Sequence, residues 1–234
     1  MKERPILFSS PMVRAILDGS KTQTRRVVKD ATGAFWDHAG WRPVIVDGCV
    51  RWEDADTGRR LHDPMLAPRP PCPFGVPGDR LWVRETWCDT MHRDPGAEPE
   101  RFIDGRVEGV EYRASHSCLS FEDGCPCNPD GNSKRSEWRP SIHMPRWASR
   151  ITLEITDVRV ERLQAISEED ARAEGVKRDT EPCDHIRRAC ADIECMGPTF
   201  KSTFCELWDS LNAKRAPWAS NPWVWAISFK RVTA

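Results

Sequence analysis

Two long stretches without a regular apolar pattern, at about residues 30–76 and 89–141, separate the segments of this chain that can form strands or helices. The first stretch is rich in Pro, Gly and Asp, which favour turns over regular structure. The remaining segments give the order strand, helix, strand, insertion, strand, insertion, strand, helix, helix, strand. Few strands, mostly antiparallel, with helices between them predict a single α+β, barrel-like domain over residues 1–234 that carries both insertions.

The first segment predicts a strand followed by a short helix. Residues 5–10 (PILFSS) have the character of a strand, and Ser10 is a suitable N-cap for a helix with Pro11 at its first position. Gly19 ends the helical pattern, because glycine readily adopts the left-handed backbone of a helix C-terminus. The next residues, TQTRRVV, predict a strand that ends at Val28.

Two further strand predictions come from the middle of the chain. Residues 41–52 (WRPVIVDGCVRW) contain two β-rich runs about an Asp-Gly turn and predict a hairpin. In DRLWVRETW (79–87), Leu81, Val83 and Glu85 point to one side of the predicted strand. A carboxylate on an apolar face must be paired or line a cavity, because burying an isolated charge is costly.

The last third of the chain has the clearest periodicity. RITLEITDVRVERL predicts a long strand, and ISEEDARAEGV predicts a helix with Ser167 as N-cap, Asp170 as a capping-box acid and Gly175 at its end. A Cys-rich segment at 178–197 and an amphipathic helix at 199–212 follow, before the closing strand NPWVWAISFKRV. The apolar side of the second helix is formed by Phe200, Phe204, Leu207, Trp208 and Leu211.

The charge of the chain is nearly balanced but unevenly distributed. With 35 basic and 36 acidic residues, the composition does not predict tight, non-specific binding of duplex nucleic acid. Residues 1–29 nevertheless carry seven basic residues against two acidic ones. This local excess suits a confined anion such as a nucleotide phosphate.

The sequence also bears on location and on the state of the cysteines. No apolar run approaches the roughly 20 residues of a membrane-spanning helix, and the N-terminus lacks the apolar region of a signal peptide. We therefore expect a cytoplasmic protein with no membrane partner. In that reducing compartment the ten cysteines are expected to be thiols or metal ligands rather than disulfides.

The segment GSKTQTRR places Lys21, Thr24, Arg25 and Arg26 together at a bend. Threonine is a weak nucleophile unless a base removes its proton, and a lysine can be that base when burial or neighbouring cations lower its pKa. The two arginines supply such cations and can stabilise an oxyanion. A solvated basic turn is the alternative interpretation, since charged runs usually lie at the surface.

The same segment, residues 19–26, resembles the GxKxxTxR signature of ASCH domains, which belong to the PUA-like superfamily of small RNA-associated β-barrels. The likeness extends to GDRLWV (78–83), to the strand and helix around ISEEDARAEGV and to the closing strand, about half of the chain in all. The sequence is also similar to ASCH-like proteins of bacteriophages and prophages. The resemblance implies a PUA-like (ASCH) mixed or antiparallel β-barrel with flanking helices.

The resemblance also implies a chemistry. An ASCH enzyme that hydrolyses N4-acetylcytidine uses a threonine nucleophile, a lysine and a glutamate, which match Thr24, Lys21 and Glu174 here. The implied role of Glu174 is to hold the lysine, and Glu85 competes with it for that role. An aromatic ring is expected to stack on the base. The candidates for substrate binding are Arg26, Arg25, Glu85, Trp82 and Trp87.

A protein without catalytic activity is the other interpretation. PUA-like folds often bind RNA or a modified base, and a Lys–Thr–Arg cluster can hold a phosphate and a base edge without any reaction. A nucleoside or a single-stranded nucleic acid is the expected partner in both cases. Neither interpretation requires a cofactor.

Two groups of cysteine and histidine are candidates for a structural zinc. Their spacing departs from that of common zinc sites, so plain thiols are the alternative. The first group is His116, Cys118, Cys125 and Cys127; the second is Cys183, His185, Cys190 and Cys195. Four other cysteines, Cys49, Cys72, Cys88 and Cys205, are predicted to be packed thiols.

Overall fold

The computed structural model describes about three fifths of the chain, and every structural statement below concerns that part. It covers residues 1–29, 41–46, 49–54, 56–59, 72–89, 102–103, 106–107, 110–115, 138–177 and 199–232. The helices are α1 (Ser10–Leu17), α2 (Glu168–Ala173) and α3 (Phe200–Asn212). The strands are β1 (Glu3–Leu7), β2 (Gln23–Val27), β3 (Trp41–Val46), β4 (Cys49–Asp54), β5 (Arg80–Arg84), β6 (Trp87–Asp89), β7 (Phe102–Ile103), β8 (Arg106–Val107), β9 (Val110–Tyr112), β10 (Thr152–Arg162) and β11 (Trp223–Val232).

The central element is a five-stranded sheet in the order β1-β5-β10-β11-β2. Strand β1 runs parallel to β5, whereas β10 pairs antiparallel with β5 and β11 pairs antiparallel with β2. The predicted α+β class is confirmed. The expectation of a closed barrel is not, because β1 and β2 end the sheet as separate edges among the described strands.

The chain divides into two compact units, each built from separated stretches of sequence. Unit 1 contains residues 1–18, 78–154 and 230–234, and unit 2 contains residues 19–77 and 155–229. The two long strands β10 and β11 each pass from one unit into the other. The single domain with two insertions stays a prediction from the sequence.

Unit 1 is organised around the parallel pair β1–β5, in which Ile6 lies opposite Val83 and both side chains are buried. A second core of this unit contains Trp87, Tyr112 and Met144. The stretch expected to hold at most one small hairpin contains the hairpin β7–β8 and, in addition, the antiparallel pair β6–β9. The described residues of this stretch therefore contribute to one strand pair more than its weak periodicity predicted.

Unit 2 contains the hairpin β3–β4, whose register joins Val46 to Cys49, as the Asp-Gly signal predicted. Its core packs α2 and α3 against the sheet through aromatic and aliphatic side chains. The buried members are Leu163, Ile166, Ala171, Val176, Phe204, Trp208 and Val224. The predicted apolar face of α3 is correct for Phe204 and Trp208 but wrong for Leu211, which is exposed.

The capping predictions are correct for α2 at Ser167 and Gly175 and wrong at two other residues. Ser10, the predicted N-cap, is the first residue of α1, and the N-cap is Ser9, whose side chain makes no capping hydrogen bond. Ser167 accepts a hydrogen bond from the Asp170 backbone N–H at 3.0 Å, and Gly175 has φ 82° just beyond α2. Thr199 and Ser202 form a complete capping box on α3. The predicted capping role of the Asp170 carboxylate is wrong, because that group bonds to arginine side chains instead.

A membrane crossing would need a longer and more apolar helix than any that the described residues form. The longest of them, α3, has 13 residues and only one apolar side.

Candidate functional site

The bend after α1 is fixed against the end of α2. Gly19 has φ 81°, a left-handed backbone conformation that is unfavourable for residues with a Cβ atom. At this residue the chain changes direction before β2 begins. Lys21 and Glu174 form an antiparallel β-bridge, and the Thr22 N–H donates to the Ala173 carbonyl at 2.8 Å. Two segments about 150 positions apart in sequence are thereby held backbone to backbone.

The Lys21 amine is buried and bonded to Glu174. Its Nζ donates to Glu174 Oε2 and to the Glu174 backbone carbonyl, each at 2.7 Å. The side chain is 0 % exposed and that of Glu174 is 4 % exposed. A charge-assisted pair shielded from water is much stronger than the same pair at a surface.

Arg25 holds the other oxygen of the same carboxylate. Its Nη1 donates to Glu174 Oε1 at 3.2 Å and to Gln23 Oε1 at 2.6 Å. Its Nη2 donates to Glu161 Oε1 at 2.6 Å and to Asp170 Oδ2 at 3.1 Å. Glu174 therefore lies between two buried cations, with one carboxylate oxygen for each. We call Lys21, Gln23, Arg25, Glu161, Asp170 and Glu174 the bend network.

Thr24 and Arg26 lie on the opposite face of β2 from Gln23 and Arg25, because side chains alternate along a strand. The Thr24 residue is buried at 3 % exposure and lies opposite Ile227 of β11. Arg26 is half-buried and lies opposite Trp225. Within the bend network, only Gln23 and Arg25 thus project from the other face of β2 than Thr24; Lys21 precedes the strand, at the bend.

Burial dominates the electrostatics of the amine. Desolvation lowers the pKa of Lys21 below its usual range, while the charge and hydrogen bond of Glu174 oppose that shift. Arg26 and Arg25 lower the pKa of Lys21 further. Burial also lowers the pKa of Arg26, again opposed by Glu174. A lysine with a lowered pKa is closer to the neutral form that a general base requires.

Glu85, the other candidate partner of Lys21, belongs to unit 1 and is bound by an arginine. Arg150 donates to both of its carboxylate oxygens, each at 2.9 Å, and Glu85 is 1 % exposed. The expectation that this carboxylate must be paired is confirmed. Burial raises the pKa of Glu85, and the Arg150 hydrogen bonds and charge oppose the rise.

The two candidate stacking residues, Trp82 and Trp87, also belong to unit 1. Trp82 is half-buried, with the Arg84 guanidinium 5.0 Å from its ring centroid. Trp87 is 2 % exposed and meets the Trp147 ring edge-on at 5.8 Å. In unit 2, the structure brings Lys21, Arg25 and Glu174 into direct contact.

Both predicted zinc groups lie outside the described residues, so zinc stays a sequence prediction. Within the described residues, no cluster of three or more His, Cys, Asp or Glu side chains could hold a metal ion. Cys72 and Cys88 are buried thiols and Cys205 is a half-buried one, as the packed-thiol prediction expected. Burial raises the pKa of the Cys205 thiol, so it is mostly protonated at neutral pH.

Sequence reasoning missed most of the residues that surround Glu174. Gln23, Glu161 and Asp170 each contribute a side chain to the bend network, and Arg159 donates to Asp170 at 3.0 Å. The available signal was a polar residue at every second position of a long strand. Such a pattern does not predict which acidic side chain pairs with which arginine, because residues far apart in sequence come into contact only in the folded protein.

Comparison of this chain with protein families, with curated proteins and with solved structures gave no significant match.

Proposed function

We propose that this protein is an ASCH-type protein with a PUA-like fold that acts on a nucleoside or nucleic acid and removes an acyl group from a modified base such as N4-acetylcytidine. The observation that carries the proposal is the buried Lys21 amine held by Glu174 at 2.7 Å, three residues before a strand threonine. A buried lysine, a carboxylate that orients it and a hydroxyl are the groups that nucleophilic amide hydrolysis requires.

The roles of the residues follow from their chemistry. The resting Lys21 is an ammonium paired with Glu174, and its lowered pKa increases the fraction of neutral amine that can act as a base. In that form Lys21 accepts the proton of Thr24 as the threonine oxygen attacks the amide carbonyl carbon, and Arg26 stabilises the resulting oxyanion. When the C–N bond breaks, the Lys21 ammonium returns the proton to the departing exocyclic nitrogen. Water then hydrolyses the acyl-threonine ester, releasing the acid and restoring the hydroxyl. Glu174 keeps the amine in position throughout.

A second candidate function is binding of a nucleoside or single-stranded nucleic acid without a reaction. The burial of Lys21 and Thr24 favours it, because a fully covered amine and hydroxyl can serve the fold alone. In that case the bend network holds the bend against α2 and has no catalytic role.

Turnover of N4-acetylcytidine to cytidine, followed by chromatography, separates the two functions. We expect the wild-type protein to release cytidine and Thr24→Ala to lose at least about a hundredfold in rate, because the nucleophile is missing. Thr24→Ser keeps the hydroxyl and should retain measurable activity.

The matched control is Thr152→Ala, which removes a hydroxyl from another partly buried strand position without touching the bend. Its activity should equal that of the wild type. Equal turnover by Thr24→Ala and Thr152→Ala would exclude the threonine nucleophile. Absence of turnover together with salt-sensitive oligonucleotide binding would support the second function.

A further inference from the structure

A cavity of about 500 Å³ lies in unit 2 beside the bend, and the groups that line it are distinct from the proposed catalytic residues. We call it the α2 cavity, because α2 forms one of its walls. Its chemically informative lining residues are Ser20, Thr22, Glu169, Arg172, Lys177 and Phe200.

The bend separates the α2 cavity from the Lys21 amine. Ser20 and Thr22 line the cavity, while Lys21 between them turns its side chain into the bend network. Lys21, Thr24 and Glu174 are not part of the lining. A ligand in this cavity would therefore occupy a site of its own.

Two cations at the cavity are bonded to none of the described residues through their side chains. Arg172 and Lys177 are exposed, and neither side chain forms a hydrogen bond or ion pair anywhere in the part of the chain that the structure describes. Arg25, Arg159 and Lys201 in the same unit are all bonded to protein oxygens. A guanidinium and an ammonium that face one concavity are the usual ligands of a phosphate group.

The rest of the lining suits the other parts of a nucleotide. The Phe200 ring and Val176 give an apolar wall against which a flat ring can pack. The exposed Glu169 carboxylate can accept hydrogen bonds from sugar hydroxyls. The volume falls within the range of small-molecule sites in proteins.

We propose that the α2 cavity binds a small phosphorylated molecule that carries a flat ring, of the class of nucleoside monophosphates, with its phosphate held by Arg172 and Lys177. The site goes beyond the proposed deacylation, which uses none of its residues.

Calorimetric titration of the full chain with CMP, cytidine and inorganic phosphate tests the proposal. We expect CMP to bind with a Kd of about 1 mM or lower and more tightly than either cytidine or phosphate. The affinity should fall as salt is raised. The double variant R172A/K177A should raise the Kd for CMP at least about tenfold.

The matched control is K214A/R215A, which removes two exposed cations from the turn after α3 in the same unit and should leave the Kd unchanged. Thr24→Ala should also bind CMP normally, so failure of the deacylation proposal leaves this one testable. Three outcomes would overturn it: no CMP binding at about 10 mM, equal weakening by both double variants, or binding of a single-stranded oligonucleotide without CMP.

Discussion

Glu174 is the residue on which the site depends, because its carboxylate serves two buried cations at once. Lys21 takes one oxygen at 2.7 Å and Arg25 takes the other at 3.2 Å. Neutralising the carboxylate would leave both cations without their shared counter-charge in a region that excludes water. The cost of such a loss is larger than that of any surface ion pair.

Glu174→Gln should therefore lower the free energy of unfolding by about 3 kcal/mol or more. The matched control is Glu154→Gln, which breaks the surface pair with Lys230 at 2.9 Å and should cost at most about 1 kcal/mol. Urea denaturation of wild type, Glu174→Gln and Glu154→Gln gives both losses of unfolding free energy. Equal losses in the two variants would contradict the view that Glu174 compensates buried charge.

The lowered pKa of Lys21 also predicts how the stability of the protein depends on pH. Between the folded-state pKa and the usual value near 10.5, the unfolded chain binds more protons at this position than the folded one. The free energy of unfolding therefore rises with pH in that window. Lys21→Met removes the titrating group, so wild type should gain stability relative to this variant as the pH approaches 10.5.

The measurement is urea denaturation of wild type and Lys21→Met at several pH values above neutrality. Lys29→Met, at an exposed position of the same segment, is the control and should follow the wild-type curve. If the free energy of unfolding depends on pH in the same way in wild type and Lys21→Met, the inferred lowering of the Lys21 pKa is contradicted.

At the scale of elements, the bend between α1 and β2 positions the lysine. Gly19 has φ 81° and open space where a Cβ would lie, so a substitution there meets backbone strain rather than a steric clash. Gly19→Ala should cost about 1 kcal/mol of unfolding free energy, and Gly19→Asn should cost less, because asparagine tolerates the left-handed region better. Thermal or urea unfolding would show which variant loses more stability. Equal losses in Gly19→Ala and Gly19→Asn would contradict the view that backbone strain causes the cost.

Local sequence signals predicted individual elements well. Alternation correctly predicted that Leu81 and Val83 of β5 and Glu85 just after it are buried. The Ser167 and Gly175 signals marked the ends of α2. These signals are local, because helix capping and the alternation of side chains along a strand depend on residues only a few positions apart.

Pairings between distant elements could not be predicted in the same way. The parallel alignment of β1 with β5 joins residues about 77 positions apart, and no turn signal encodes it. The Asp170 carboxylate illustrates the same limit at the site: capping chemistry favoured a local role, but three bonds to Arg25, Arg159 and Gln23 outweigh it. Tertiary charge pairing prevailed over local preference.

At the scale of the whole molecule, the predicted site residues are divided between the two units. Lys21, Thr24 and Glu174 belong to unit 2, whereas Glu85 and Trp82 belong to unit 1. The motif lies in a segment that meets the end of α2. It gave no information on the ion pair between Glu85 and Arg150.

Metal content is a further whole-molecule prediction that comes from the sequence alone. If His116, Cys118, Cys125 and Cys127 hold zinc, elemental analysis of purified protein should find about one ion per chain, and Cys125→Ser should lower it. The control is Cys205→Ser, which changes a half-buried thiol on α3 and should leave the metal content unchanged. Metal-free wild-type protein would contradict the prediction.

The central claim is that Thr24 carries the acyl group during the reaction. Mass spectrometry of protein quenched in acid during turnover of N4-acetylcytidine tests it most directly. The proposed mechanism predicts one acetyl group on the peptide that contains Thr24. The same peptide of the Thr24→Ala variant should carry no acetyl group. Turnover with no acetylated protein, or with the acetyl group on another residue, would contradict it.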